Sequence, residues 1–295
     1  MSEKTIEAWP SFETRVPGKW VLAGEHAVLK GHSSVAIPHA ELGLRLGFKP
    51  GASDRGLRVS PSETQHVIDE ILTLALAGVP SAQWPAGELK IESTLPVGAG
   101  LGSSAALCVA VTRWLAASPL AAKLNGVELT AAFATRLEHH FHGKSSGMDV
   151  SVIAANKPVI FARVSGAQEL GVSRLPRFTF HDTGVRARTS DCVAHVERFR
   201  SEEPVLGARL DELMGQAANE SVEALRLYDA GQAEQGVRAL ASAMAKAQSC
   251  FDAWELVPPE ARALLNNLHA EGARAAKLTG AGGGGMIVAL WAPTV

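Results

Sequence analysis

Apolar positions along the chain fall into two rhythms. After Pro17-Gly18, "WVLAGEHAVL" reads as a strand, and "SVAIPHAELGLRLGF" continues with alternating or unbroken apolar residues. In "SETQHVIDEILTLALAG" the period changes. Val67, Ile68, Ile71, Leu72 and Ala75 recur at helical spacing, with Ser62 as a candidate N-cap. "GELKIESTLP" alternates again and predicts a strand that delivers the chain into the glycine-rich segment "PVGAGLGSSAA". A helix is expected from Ser103 to about Ala117, and another in "LTAAFATRLEHHFHG", stopping near Gly143. "KPVIFARVS" then reads as a strand.

The character changes around "GAQELGVSRLPR". A domain boundary is expected near Val164–Gly171, giving residues 1–167 and 168–295. The second half opens with a strand in "RFTFHDTGVRART" and runs through alanine- and leucine-rich helices over Asn219–Leu256. It closes with "KLTGAGGGGMIVALW", a glycine loop feeding a strand. Helices and strands intermixed, with long antiparallel-type strands early, predict an α+β protein.

Composition narrows the partners more than the fold. Of 295 residues, 46% are hydrophobic and 20% charged, with a formal net charge of −2, an ordinary globular balance. With no long basic run, no nucleic-acid partner is expected, and substrates should be small molecules. The longest apolar segment, Ala105–Ala122, is interrupted by Thr112, Arg113 and Pro119. It predicts a buried helix rather than a membrane span. The first twenty residues carry mixed charges and no apolar core, so no secretory leader is expected. Cys108, Cys192 and Cys250 lack C-x-x-C spacing, which fits a reducing, cytoplasmic location.

Three constellations carry candidate chemistry. The first is the run from Pro96 through Gly98, Ala99, Gly100, Leu101, Gly102, Ser103 and Ser104 to Ala105. Glycines at alternate positions let backbone N–H groups turn inward as an anion nest, and the helix that follows adds its positive end. Ser103 or Ser104 can cap that helix or offer a hydroxyl to a metal ion. The run has neither the Gly-Lys-Ser/Thr ending of a Walker P-loop nor the G-x-G-x-x-G spacing.

The second is "LEHHFHGKSSGMD", which sets Glu138 near a helix end and Asp149 in the first turn of the next element, with Ser145 or Ser146 as its cap. Two carboxylates flanking a tight loop suit one metal ligand and one base, and hard oxygen ligands beside phosphates imply magnesium. His139, His140 and His142 are not expected to make a zinc site, because His140 leaves the face that His139 and His142 share and no cysteine lies nearby. The third is "KLTGAGGGG", a second stretch without side chains. Two such stretches suggest a ligand between them.

These motifs, with "PGKWVLAGEHAVLKG" near the start, closely resemble the three motifs of the GHMP small-molecule kinase superfamily over about residues 15–290. The opening "GEHAVLKG" and the later "HGKSSGMD" look most like the mevalonate kinase group within it. The resemblance implies a two-domain fold, with an N-terminal domain like ribosomal protein S5 domain 2 and a ferredoxin-like C-terminal domain. It also implies ATP and Mg2+, transfer of the γ-phosphate to the 5-hydroxyl of mevalonate, and a homodimer as a common assembly.

By the same resemblance Asp149 and Lys19 are catalytic, and Ser104 and Glu138 bind the metal. The Pro96–Ala105 run, with Gly282 and Gly283, holds the nucleotide. Glu25, His26 and Thr189 face the acceptor. A kinase for a phosphorylated acceptor or a sugar stays open, since Lys30, Lys144, Arg186 and Arg188 offer extra cations. So does an inactive nucleotide-binding regulator.

Overall fold

The computed structural model describes residues 8–52, 56–121, 124, 131–142 and 146–293. Helix and strand are mixed throughout, as α+β requires. By packing, the chain forms two units, and neither is a single stretch. One unit takes the chain up to Gly18, with Ala40–Leu95 and Gly102–Asn156; the other takes Lys19–His39, Pro96–Leu101 and the chain from Lys157 onward. A single cut at residue 167 would therefore part stretches that pack together. The cause lies in two long strands, β1 (Phe12–Ala23) and β2 (Ser34–Pro50), each of which contributes to both units.

In the first unit the later half of β2 pairs antiparallel with β4 (Gly87–Ser93), from Leu44 opposite Ser93 to Pro50 opposite Gly87. The short β3 (Leu57–Ser60) runs parallel to β4. Along β4, Leu89 and Ile91 are buried while Glu88, Lys90 and Glu92 face solvent, the alternation seen in the sequence. Helix α1 (Gln65–Ala75) buries Ile68, Ile71, Leu72 and Ala75. Ser62 does not cap it, because residues 62–64 form a separate 3₁₀ turn first.

Helix α2 (Ser103–Ala116) is buried on nearly every side. Its Trp114 packs against Trp9 and Phe48 at centroid distances of 5.1 and 4.9 Å. Each ring that goes from water into this cluster contributes roughly 1.5–3 kcal/mol. Helices α3 (Ala131–His142) and α4 (Met148–Ala155) pack on α2 and on each other. The expected stop at Gly143 and the cap at Ser145 lie outside the described residues.

The second unit holds β7 (Phe178–Asp182), β9 (Met286–Leu290) and β8 (Ala275–Thr279) in that order, all antiparallel. Trp20 of β1 stacks edge-on against Phe178 and Phe180 at 4.8 and 5.4 Å. The start of β2 pairs with β5 (Val159–Ala162), which pairs in turn with β6 (Gly166–Glu169). Helices α5 (Thr189–Glu202), α6 (Pro204–Asp229), α7 (Ala233–Ala253) and α8 (Pro259–Ala270) complete it.

Two expected strands end early. β1 stops at Ala23, where Gly24 (φ 100°) and His26 (φ 58°) turn the chain into a 3₁₀ turn over Ala27–Lys30. β7 stops at Asp182, whose carboxylate accepts the N–H of Gly184 (2.8 Å) and closes a turn before α5. Among the described residues no helix is long and apolar enough to cross a membrane.

Candidate active site

In the second unit, β1 delivers Lys19 directly beneath the first glycine run. Its backbone N–H donates to Leu101 O at 3.0 Å, and its Nζ donates to Gly100 O at 3.0 Å. These two bonds pin the run from below. Gly98, Gly100 and Gly102 have φ of 73°, 80° and 73°, while Ala99 and Leu101 stay outside the left-handed region and bury their side chains. A backbone that alternates in this way turns its N–H groups toward one concave side, the geometry of an anion nest.

The second glycine run lies against the first, backbone to backbone. A Cβ on Gly100 would stand 3.1 Å from Thr279 O, one on Gly280 3.1 Å from Gly100 Cα, and one on Gly285 3.0 Å from Ala99 O. Mutual approach therefore accounts for these glycines without a ligand between the runs, which corrects the sequence argument. Gly282 and Gly283 also pack on protein. Their missing side chains would meet Phe251 and Leu256, and Ala187 and Cys192 respectively. Gly98 differs, because among the described residues the one neighbour in reach of its missing side chain is Arg186 Cδ at 3.8 Å.

Beyond β1, Glu25 and His26 occupy the left-handed turn, each about one-twentieth exposed. Lys277, in the middle of β8 and fully buried, donates from Nζ to Glu25 Oε1, Leu278 O and, at 3.4 Å, Val21 O. Its ammonium lies 5.3 Å from the Phe251 ring centroid. Burial pushes the Glu25 carboxyl up, with Lys277 drawing it back down, and burial pushes the Lys277 ammonium down.

His26 donates from Nε2 to Ala281 O at 2.8 Å, since a carbonyl can only accept, and its ring meets Trp254 edge-on at 5.3 Å. Burial lowers its pKa to about 4, so the ring is neutral at pH 7. Glu25 Oε2 and His26 Nδ1 are buried with no hydrogen-bond partner among the described residues. Thr279 completes the frame. Its hydroxyl accepts from Val21 N–H at 2.8 Å and donates to Val21 O at 2.9 Å. Thr189 is exposed at the first position of α5.

The first unit holds the other candidates on three helices packed together. Ser103 and Ser104 open α2, but the N-cap is Gly102 and no side chain caps the helix, so neither serine takes the capping role. Helix geometry leaves first-turn N–H groups outside the intrahelical ladder, adding partial positive charge at this end. Pro96 opens the run, and Ala105 lies buried in the first turn of α2.

Glu138, in the last turn of α3, is 2% exposed. Burial raises the thiol pKa of Cys108 in α2, and the Glu138 carboxylate on the neighbouring α3 raises it further. Asp149 sits in the first turn of α4, after Gly147 (φ 81°) and Ser146, whose hydroxyl accepts Met148 N–H at 3.3 Å. Among the described residues no three His, Cys, Asp or Glu side chains gather as a metal cage. His140 meets Glu70 at 2.9 Å.

Lys277 was missed in the sequence, although its signal was present as a lysine inside the otherwise apolar strand "AAKLT".

Comparison with known proteins places this geometry. Residues 67–157 match the family described as GHMP kinases N terminal domain, and residues 221–293 match GHMP kinases C terminal. The mevalonate kinase of Archaeoglobus fulgidus is 32% identical over 93% of this chain and 90% of its own length. That of Thermococcus gammatolerans is 30% identical over 93% of this chain and 87% of its own length. The crystal structure of L. major mevalonate kinase in complex with R-mevalonate shares the fold. Its TM-score is 0.75 at 23% identity, covering 97% of this chain and 89% of that one. The chain belongs to the GHMP kinase family and has the two-domain α+β fold of that family's kinases.

Proposed function

We propose that the chain transfers the γ-phosphate of ATP to the 5-hydroxyl of mevalonate, giving 5-phosphomevalonate and ADP. The observation that carries this reading is the nest of Gly98, Gly100 and Gly102, pinned by Lys19 and running directly into α2. The likeness to mevalonate kinases over 93% of this chain supports the acceptor.

The hydroxyl oxygen attacks the γ-phosphorus, the bond to the β–γ bridging oxygen breaks, and ADP leaves. Asp149 orients the hydroxyl and receives its proton. Lys19 stabilises negative charge at the transferring group. The backbone from Pro96 to Ala105 holds the phosphates, with Gly282 and Gly283 shaping the opposite loop. Glu25, His26 and Thr189 serve the acceptor. Phosphoryl transfer passes through a loose transition state, so positioning and charge stabilisation carry most of the rate.

Ser104 and the buried carboxylate of Glu138 suit magnesium, which takes few protein ligands and completes its shell with phosphate and water. When bound, the ion neutralises charge on the β- and γ-phosphates. The three described cysteines are all free, which fits our assignment to the cytoplasm.

A phosphorylated acceptor is the weaker reading. Lys30 is paired with Glu197 at 2.8 Å, and Arg186 stands beside Gly98, on the nucleotide side. Magnesium-dependent ADP release, measured across mevalonate, phosphomevalonate, galactose and homoserine, tests the proposal. Turnover on mevalonate alone is expected. Turnover on another of the four instead, or on none, would overturn it.

A further inference from the structure

Resting on the nucleotide site proposed above, we propose that Arg186 is a further binding residue of that site, one that takes the terminal phosphates of the nucleotide. Arg186 lies in the turn between β7 and α5. Its guanidinium is held by Asp182 through two parallel bonds, Nη1 to Oδ1 at 2.7 Å and Nη2 to Oδ2 at 2.6 Å. Asp182 is itself fixed by the Gly184 N–H. An arginine fork that meets a carboxylate in this way has the spacing to meet two phosphate oxygens.

The same turn touches both glycine runs. Arg186 Cδ lies 3.8 Å from the missing side chain of Gly98, which, unlike that of Gly100, would meet no backbone atom among the described residues. On either side of it, Val185 and Ala187 back onto the second run. Val185 O accepts Gly285 N–H at 2.8 Å, and Ala187 Cβ would stand 2.6 Å from a side chain on Gly283. Lys19, the other cation at the first run, is buried beneath it on Gly100 O. Arg186 is a cation beside Gly98 that reaches solvent, with its side chain 35% exposed.

At that exposure its pairing with Asp182 adds little to stability, so the pairing aims the side chain more than it holds the fold. A polyphosphate, with its greater charge, can draw the guanidinium off the carboxylate.

Equilibrium binding of ATP, ADP and AMP to Arg186→Gln and Arg186→Lys, beside the parent protein, tests this together with steady-state kinetics. In Arg186→Gln, ATP affinity should fall roughly tenfold to a hundredfold, as expected for lost charge-assisted bonds. ADP should weaken less and AMP not at all. The KM for mevalonate and the melting temperature should hold, and Arg186→Lys should recover part of the loss.

Unchanged ATP affinity in Arg186→Gln, equal weakening of all three nucleotides, or a rise in the mevalonate KM alone would each overturn the assignment. If the parent protein itself fails to bind ATP, the nucleotide site falls, and Arg186 with it. If the parent binds and the variant binds equally well, only Arg186 is wrong.

Discussion

Lys277 and Glu25 form an ion pair that solvent does not reach, between the last and first thirds of the chain. Taking both charges out of water is expensive, and the pair is held by the carbonyls that also surround the ammonium. Removing one partner leaves the other charge buried alone. Lys277→Met or Glu25→Leu should each cost about 3–5 kcal/mol in urea unfolding, and the double variant should recover much of that loss. Additive losses in the double variant would show that the two side chains act separately.

His26 gives stability a pH dependence. Its folded pKa is about 4, against an ordinary value of 6.5, so the unfolded chain takes up the proton first as pH falls. Its contribution is complete above pH 6.5 and is lost progressively on going down to pH 4, by about 3 kcal/mol in all. His26→Asn removes the titrating ring and should show a flatter profile over that window. Urea midpoints at half-unit pH steps would show it; an equally steep profile would clear His26.

Two of the three glycines in the first run, Gly98 and Gly100, should fail differently. Gly100→Ala drives a Cβ to 3.1 Å from Thr279 O and strains a φ of 80°, so melting temperature should drop by several degrees. Gly98→Ala meets no backbone atom, so apart from the strain of its φ it should spare the fold and weaken ATP binding. Thermal melts beside ATP titrations separate the two.

For Asp149→Asn, turnover should fall about a hundredfold to ten-thousandfold while nucleotide affinity holds, the usual range for a positioned proton acceptor. Glu138→Gln should raise the magnesium concentration needed for half-maximal rate. A normal magnesium titration in that variant would remove Glu138 from the metal.

Much of the architecture was legible because alternating and helical apolar patterns are local. β4 and α1 were readable from Leu89, Ile91, Ile68 and Leu72 alone. The early end of β1 was less visible, since His26 carries a left-handed φ that its residue type rarely adopts and that tertiary bonds to Ala281 sustain. The second glycine run was misread for a related reason. Nothing in "TGAGGGG" says that the chain it approaches is Gly100, and a close backbone neighbour looks in sequence just like a ligand. The candidate residues stood out because they sit in short motifs. Lys277 did not, because a lone buried lysine is noticed only once its partners, residues apart by 252 positions, are in place.

The bond pair between Val21 and Thr279 spans 258 positions of sequence. On the ribosome, β1 emerges early and must wait for β8 to be translated before that pairing can form. Loops this long close slowly, and the unit that holds Lys19 and both glycine runs becomes whole only once β8 and the second glycine run have been made. Until then the nascent chain lacks the second glycine run, against which the first one packs. A message cut short after α8 would yield a polypeptide with every residue of the first glycine run and Lys19 to pin it, but without the β8 end and second glycine run that pack against Gly100.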